Sequence, residues 1–154
     1  MNDLFFIKAK RMFVYDEGVS DKLYDDRSGH QVRGSNGIIT GGIGHNFEDN
    51  KLSEAVIDLL FTEDLGRAVS EAKKIFPQFE AFTENRQYAL INMLFNLGAS
   101  RFKNFHKMIE AIHANDWVRA GREAKTSLWY HQVKSRGTRI VKMLTDDIWP
   151  EEYE

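Results

Sequence analysis

The chain contains no cysteine in 154 residues. That excludes a disulfide framework, a thiolate metal site and a cysteine nucleophile. Proline is almost as scarce, with two residues, so little interrupts long helices. No apolar run approaches the roughly 20 residues of a membrane-spanning helix, and no membrane insertion is expected. The apolar start Leu4-Phe5-Phe6-Ile7 is short, and its basic residues Lys8, Lys10 and Arg11 follow it rather than precede it; no export signal is expected there. Five histidines are scattered without an HExxH pair or a ligand cluster, so neither a metal site nor a cofactor is expected.

Net charge is also small, at −2, but unevenly spread. Residues 1–100 carry 11 basic and 15 acidic side chains, residues 101–142 carry 10 and 3, and the last nine residues add 5 acids. A basic segment suits an anionic polymer or an ordinary solvated helix face. Its aromatic residues sit at core-like positions, so no nucleic-acid partner is expected.

Three stretches follow. Residues 3–16 have helical spacing in Leu4, Ile7, Arg11 and Val14 with Phe5, Met12 and Tyr15, and Glu17-Gly18 reads as the helix end. Six of the eleven glycines then lie between Gly29 and Gly44. Candidate strands Lys22–Asp26 and Gly37–Thr40, with the turn dipeptide Asn36-Gly37, predict a small antiparallel sheet of two or three strands. From Ser53 the chain is helical. One long helix runs toward Pro77, with Gly66 marking a bend or close approach. A core helix capped by Thr83 and ended by Gly98 follows, then shorter helices around 104–113, 116–125, 126–134 and 136–148.

The expectation is α+β in a single domain, 1–154. An N-terminal lobe of about 15–52 holds the sheet, a connecting helix spans about 53–76, and a helical lobe covers about 77–154 together with the N-terminal helix. A cleft between two such lobes suits a polymer.

Glu17 at a helix end and Asp26 on the first strand are the candidate chemistry. Glycoside hydrolysis typically needs two carboxylates, one protonated and one ionised, and differing environments divide those roles. Asp16, Asp21 and Asp25 lie nearby, so composition alone does not single out this pair. The stretch Gly37–Gly44 is not a phosphate loop, because it lacks a Walker Lys-Ser/Thr; its glycines, Gly42 among them, permit tight turns and close approach of a sugar. Phe105, Trp117 and Trp129 read mainly as packing residues, with Phe105 kept as a candidate substrate contact.

The chain resembles the phage-type lysozymes, the muramidase family of the T-even phages. The resemblance rests on Asp16-Glu17-Gly18, Asp26 with eight residues between it and Glu17, Thr40-Gly41-Gly42-Ile43-Gly44-His45, Leu60-Phe61-Thr62-Glu63-Asp64, Ala89 through Gly98, Ser127-Leu128-Trp129-Tyr130 and Arg136-Gly137-Thr138-Arg139. It implies a lysozyme-like fold and hydrolysis of the β-1,4 bond between N-acetylmuramic acid and N-acetylglucosamine in peptidoglycan. Glu17 would be the general acid, Asp26 would activate water and Thr40 would hold that water. Arg136 would reach Glu17, Arg139 would pair with Asp16, His45 with Asp64, and Asn92 would lie at the cleft floor. The resemblance also implies a phage or prophage endolysin, held in the host cytoplasm until a holin gives access to the wall from the periplasmic side; nothing in the sequence demands a dimer, and a monomer is expected.

The chain departs from the family pattern between Asp26 and Thr40, where thirteen residues intervene and the surplus falls in His30–Asn36. A one-residue change of register would turn Thr40 away. A longer hairpin tip there is expected to touch substrate or peptide stems. Alternatives are a lytic transglycosylase on the same fold, a lysozyme carried in a phage tail, and a wall-binding module with a decayed site.

Overall fold

A computed structural model of the chain describes residues 3–17, 40–41, 45–46 and 50–154. They fall into two compact units, one of residues 1–17 with 64–154 and one of residues 18–63.

The larger unit is helical. Helix α1, Asp3–Glu17, opens it. The apolar pattern of α1 runs nearly all round, and packing selects Phe5, Ala9, Met12 and Phe13 as the buried set. Leu4, Ile7, Val14 and Tyr15 are 43–56% exposed in the same structure. Of the apolar residues whose spacing predicts the helix, Phe5 and Met12 thus face the core, and Leu4, Ile7, Val14 and Tyr15 form the outer face. Periodicity identifies a helix, but two apolar faces compete here and the larger Phe5 and Phe13 rings take the core.

Helix α2, Glu54–Ile75, begins where Ser53 accepts the Val56 N–H at 3.4 Å on its hydroxyl. Lys73 and Lys74 sit in the last turn, matching the helix dipole. Leu65, Ala68 and Ala72 form its buried stripe. Gly66 is exposed, and a Cβ built there meets nothing within 4 Å. Among the described residues nothing makes the expected close approach to this glycine, and α2 runs on through it. Gly66→Ala is expected to raise stability by about 0.5–1 kcal/mol, because only backbone entropy is at stake. A higher urea midpoint at unchanged slope checks it; a fall would show an obstacle the space around Gly66 does not contain.

Helix α3, Glu84–Phe102, runs through the core and buries Tyr88 through Leu94 on all sides. Thr83 stands at its N-cap position, but the side chain makes no cap hydrogen bond. Its hydroxyl donates instead to Asp147 Oδ1 at 2.7 Å. Gly98, with φ 71 and ψ 156, breaks the helix, which then resumes to Phe102; the expected end is a kink. The Tyr88 hydroxyl is buried and finds no hydrogen-bond partner among the described residues. Burial, with Glu84 adding to it, pushes that phenol far above its ordinary value. Tyr88→Phe removes an unsatisfied polar atom at little cost in packing, so a gain of about 1 kcal/mol is expected. Thermal unfolding reads it as a rise of roughly 2–4 °C, and a lowered midpoint counts against it.

Helices α4 (His106–His113), α5 (Trp117–Lys125), α6 (Leu128–Val133) and α7 (Ser135–Asp146) complete the unit. Asp116 and Ser127 cap α5 and α6 by accepting the Arg119 and Tyr130 N–H groups. α5 lies so close to α7 that a Cβ on Gly121 would collide with the Thr145 methyl. After α7, Pro150 starts a 3₁₀ turn, Glu151–Tyr153, that packs against α1.

The α+β expectation is corrected. Strand pairing among the described residues is limited to β1, Thr40–Gly41, antiparallel to β2, His45–Asn46. Two residues per strand do not make a sheet lobe, and a ladder that short has no independent stability. The described protein is helical apart from this ladder. Its periodic apolar residues lie in α1–α7, whereas the glycine-rich stretch offers few side chains with which to bury a sheet face. The candidate strand Lys22–Asp26 and the insertion His30–Asn36 lie outside the described residues.

Candidate active site

The last turn of α1 meets α3, α7 and the C-terminal turn at a buried polar cluster. Its centre is Asp16, whose side chain is wholly buried. A buried carboxylate is costly unless its oxygens are filled by donors, and here they are. Arg139 from α7 donates to Oδ1 at 2.7 Å. Asn92 from α3 donates to Oδ2 at 2.9 Å. The Tyr153 hydroxyl lies 3.0 Å from Oδ2 and 3.2 Å from Oδ1. Arg136 Nε stands 3.4 Å from Oδ2 and donates to Asn92 Oδ1 at 2.9 Å.

Asn92 is 0% exposed and joins the two charge types, giving its amide N–H to the carboxylate and its carbonyl to a guanidinium. Arg139 is further held by donating Nε to the Tyr153 hydroxyl at 3.2 Å, and by the ring faces of Tyr15 and Tyr153 at 4.5 and 5.3 Å. Burial opposes its charge, yet the hydrogen bonds to Tyr153 and Asp16 outweigh that, so its pKa rises. Burial chiefly pushes the Tyr153 phenol well above its ordinary range, so it stays a neutral donor at physiological pH. Two guanidiniums thus face one described carboxylate, one residue before Glu17.

Four candidate residues from separate parts of the chain, Asp16, Asn92, Arg136 and Arg139, therefore come together, with the Arg139–Asp16 ion pair present. Glu17 is the last residue of α1, and its side chain lies outside the described residues. So do Asp26 and Gly42. Thr40 is paired with Asn46, and His45 with Gly41, in the β1–β2 ladder; their side chains also lie outside. Asp64, expected opposite His45, forms a close ion pair with Arg67 one turn along α2.

Phe105 precedes α4. Its ring stacks on Phe102 at 6.1 Å and meets the Trp129 edge at 6.2 Å. It also lines a cavity of about 580 Å³ with Arg101, Lys107, Leu128, Trp129 and Gln132. Trp129 is fixed there by donating its indole N–H to Asn96 at 2.9 Å. A second cavity, about 440 Å³, lies between α2 and α3 beside Asp64, Arg67, Leu94 and Phe95.

Tyr153 escaped the sequence reading, which took the last nine residues only as acidic. A faint signal exists: Trp149 and Tyr153 flank Pro150 in an otherwise charged tail, and aromatics beyond a helix-terminating proline suggest a tail that packs back.

Comparison with known proteins places the chain in a family. The family model described as phage lysozyme matches residues 15–145. The pre-baseplate central spike protein Gp5 of Enterobacteria phage T4 is 31% identical over 134 residues, covering 85% of this chain but 21% of the spike protein. Two proteins of Dictyostelium discoideum, probable T4-type lysozymes 2 and 1, are 29% and 27% identical. They match 87% and 88% of this chain and 91% and 92% of their own lengths.

Proposed function

The chain belongs to the phage lysozyme family of glycoside hydrolases, and on that premise we propose that it cuts the β-1,4 bond between N-acetylmuramic acid and N-acetylglucosamine in peptidoglycan. The observation that carries this reading is the family match across residues 15–145, a span that includes Glu17, Asp26 and Thr40.

In this mechanism Glu17 gives its proton to the leaving glycosidic oxygen. Asp26, ionised, draws a proton from a water that attacks the anomeric carbon from the opposite face, and Thr40 orients that water. The C1–O bond breaks as the water–C1 bond forms, and the configuration inverts. The buried cluster supports Glu17. Asp16 is bound on both oxygens, which fixes the end of α1, and Arg136 supplies a cation to the developing glutamate. Phe105 and Gly42 are the residues we assign to glycan contact. The biological role is endolysis: the enzyme waits in the host cytoplasm as a monomer and reaches the wall after a holin opens the membrane.

Product analysis tests the bond. Mass spectrometry of digested peptidoglycan should show muramic acid at the new reducing ends. Glucosamine reducing ends would move the cut to the other bond, and anhydro-muramic ends would make the enzyme a lytic transglycosylase. The similarity to the T4 spike protein favours one second reading, in which the same catalytic unit serves within a tail. Finding the chain in purified virions would support that role over the free endolysin.

A further inference from the structure

We infer that the C-terminal turn is a clasp for the first helix: with Trp149 and Tyr153 seated, α1 belongs to the helical unit, and with them unseated α1 detaches while α3 to α7 stay folded.

Chain connectivity does not hold α1 in place. The residues that follow it, 18–63, belong to the other compact unit, so side-chain contacts keep α1 in the helical one. The body of that unit supplies part of them. Tyr88 meets Phe5 at 4.4 Å and Phe95 meets Phe13 at 4.0 Å between ring centroids, and Asn92 and Arg139 hold Asp16. The other end of the chain adds contacts along the length of α1. Toward its start, Lys8 lies over the Trp149 ring at 5.6 Å. In its last turn, the Tyr15 and Tyr153 rings meet edge-on at 5.5 Å, and the Tyr153 hydroxyl reaches both oxygens of Asp16. Trp149 itself rests against Tyr88 at 5.3 Å and Tyr153 at 5.4 Å. The outer residues Leu4, Ile7 and Val14 are 43–56% exposed and add little to the attachment.

The two chain ends thus form part of each other's docking surface. Free ends ordinarily fray, and an isolated helix of 15 residues is marginal in water, so α1 keeps its backbone hydrogen bonds only while docked. The turn divides its side chains accordingly: Pro150 and Tyr153 are buried, while Glu151, Glu152 and Glu154 are exposed. The rest of the helical unit has fastenings of its own. α5 lies against α7 at Gly121, Arg136 on α7 donates to Asn92 on α3, and Arg86 on α3 donates to the Leu144 carbonyl. The end of α7 is tied down before the turn begins, because Asp147 accepts from Thr83 on its carboxylate and from Asn85 on its carbonyl. None of these contacts uses residues 149–154.

Amide hydrogen exchange of the full chain and of a chain ending at Ile148 tests this. The cut removes a hydrogen bond to a charged group, an edge-on ring contact and a cation–π contact, together worth roughly 100-fold in an opening constant. Amides of α1 should therefore exchange roughly 100-fold faster. Those of α3, α5 and α7 should stay within about threefold, because they open in a separate unit. Glu151→Gln combined with Glu152→Gln changes only exposed side chains of the turn and should leave α1 as it is. Should the shortened chain fail to fold, Tyr153→Leu in the full chain is read in the same way, with roughly tenfold faster exchange confined to α1. Unchanged protection of α1, or protection lost equally in α1, α3 and α7, overturns the inference. Exchange reads folding, so the outcome does not depend on any catalytic assignment.

Discussion

Glu17→Gln should lose at least roughly 100-fold in turnover, the lower end of what a positioned general acid contributes. The amide has nearly the shape of the acid and can still donate a hydrogen bond to the glycosidic oxygen. It has no proton to transfer, so the leaving alkoxide departs unprotonated. The substitution isolates that loss because Asp16, the residue before it, carries the structural duty at the end of α1: its side chain is buried and donors reach both oxygens. The folded state and wall binding should therefore survive. Clearing of outer-membrane-permeabilised Gram-negative cells gives the activity, and co-sedimentation with purified peptidoglycan gives the binding. Asp26→Asn should also lose most activity, by removing the base rather than the acid. Wild-type clearing by Glu17→Gln would falsify the assignment.

Asp16→Ala should cost about 3–5 kcal/mol of stability, the range for breaking a buried ion pair from one side. The loss exceeds that of a surface pair because the partners cannot rehydrate: Arg136 and Arg139 are 8% and 9% exposed. Their guanidiniums would remain in the interior without this carboxylate, and Asn92 and Tyr153 would lose their shared acceptor. Against a total of about 5–15 kcal/mol for an ordinary domain, this is a large fraction. Urea unfolding of Asp16→Ala, Arg139→Met and the double variant measures it. The double variant should be more stable than the sum of the single losses predicts, because removing both charges avoids leaving one alone. A loss below about 1 kcal/mol in Asp16→Ala would mean that the arginines find water or other partners.

The two variants report on neighbouring residues with separate duties. Glu17→Gln should alter catalysis with little change in stability. Asp16→Ala should alter stability strongly, and activity through it. Burial explains the duty of Asp16: its carboxylate anchors a helix because four polar groups surround it, whereas the role proposed for Glu17 requires a carboxyl that substrate can reach.

The local features of this protein were legible in its sequence. The periodicity of α2 and α3, the Ser53 start of α2 and the stop before Pro77 are properties of short windows, set by backbone hydrogen bonding and by which side chains recur every three or four residues. The motif Asp16-Glu17-Gly18 with its downstream partners was equally local, and it sufficed to indicate the family. What tertiary structure alone decided was which local option prevailed. α1 offered two apolar faces and the core took the one bearing Phe5 and Phe13. Thr83 stood in a capping position and gave its hydroxyl to Asp147, 64 residues away. The glycine-rich stretch read as a sheet, and its described pairing reduced to the two-residue ladder of Thr40–Gly41 with His45–Asn46. Above all, the donors that hold Asp16 come from 76, 123 and 137 residues along the chain. A buried charge takes whatever donors the closed fold brings within about 3 Å, and no periodicity or spacing encodes that closure.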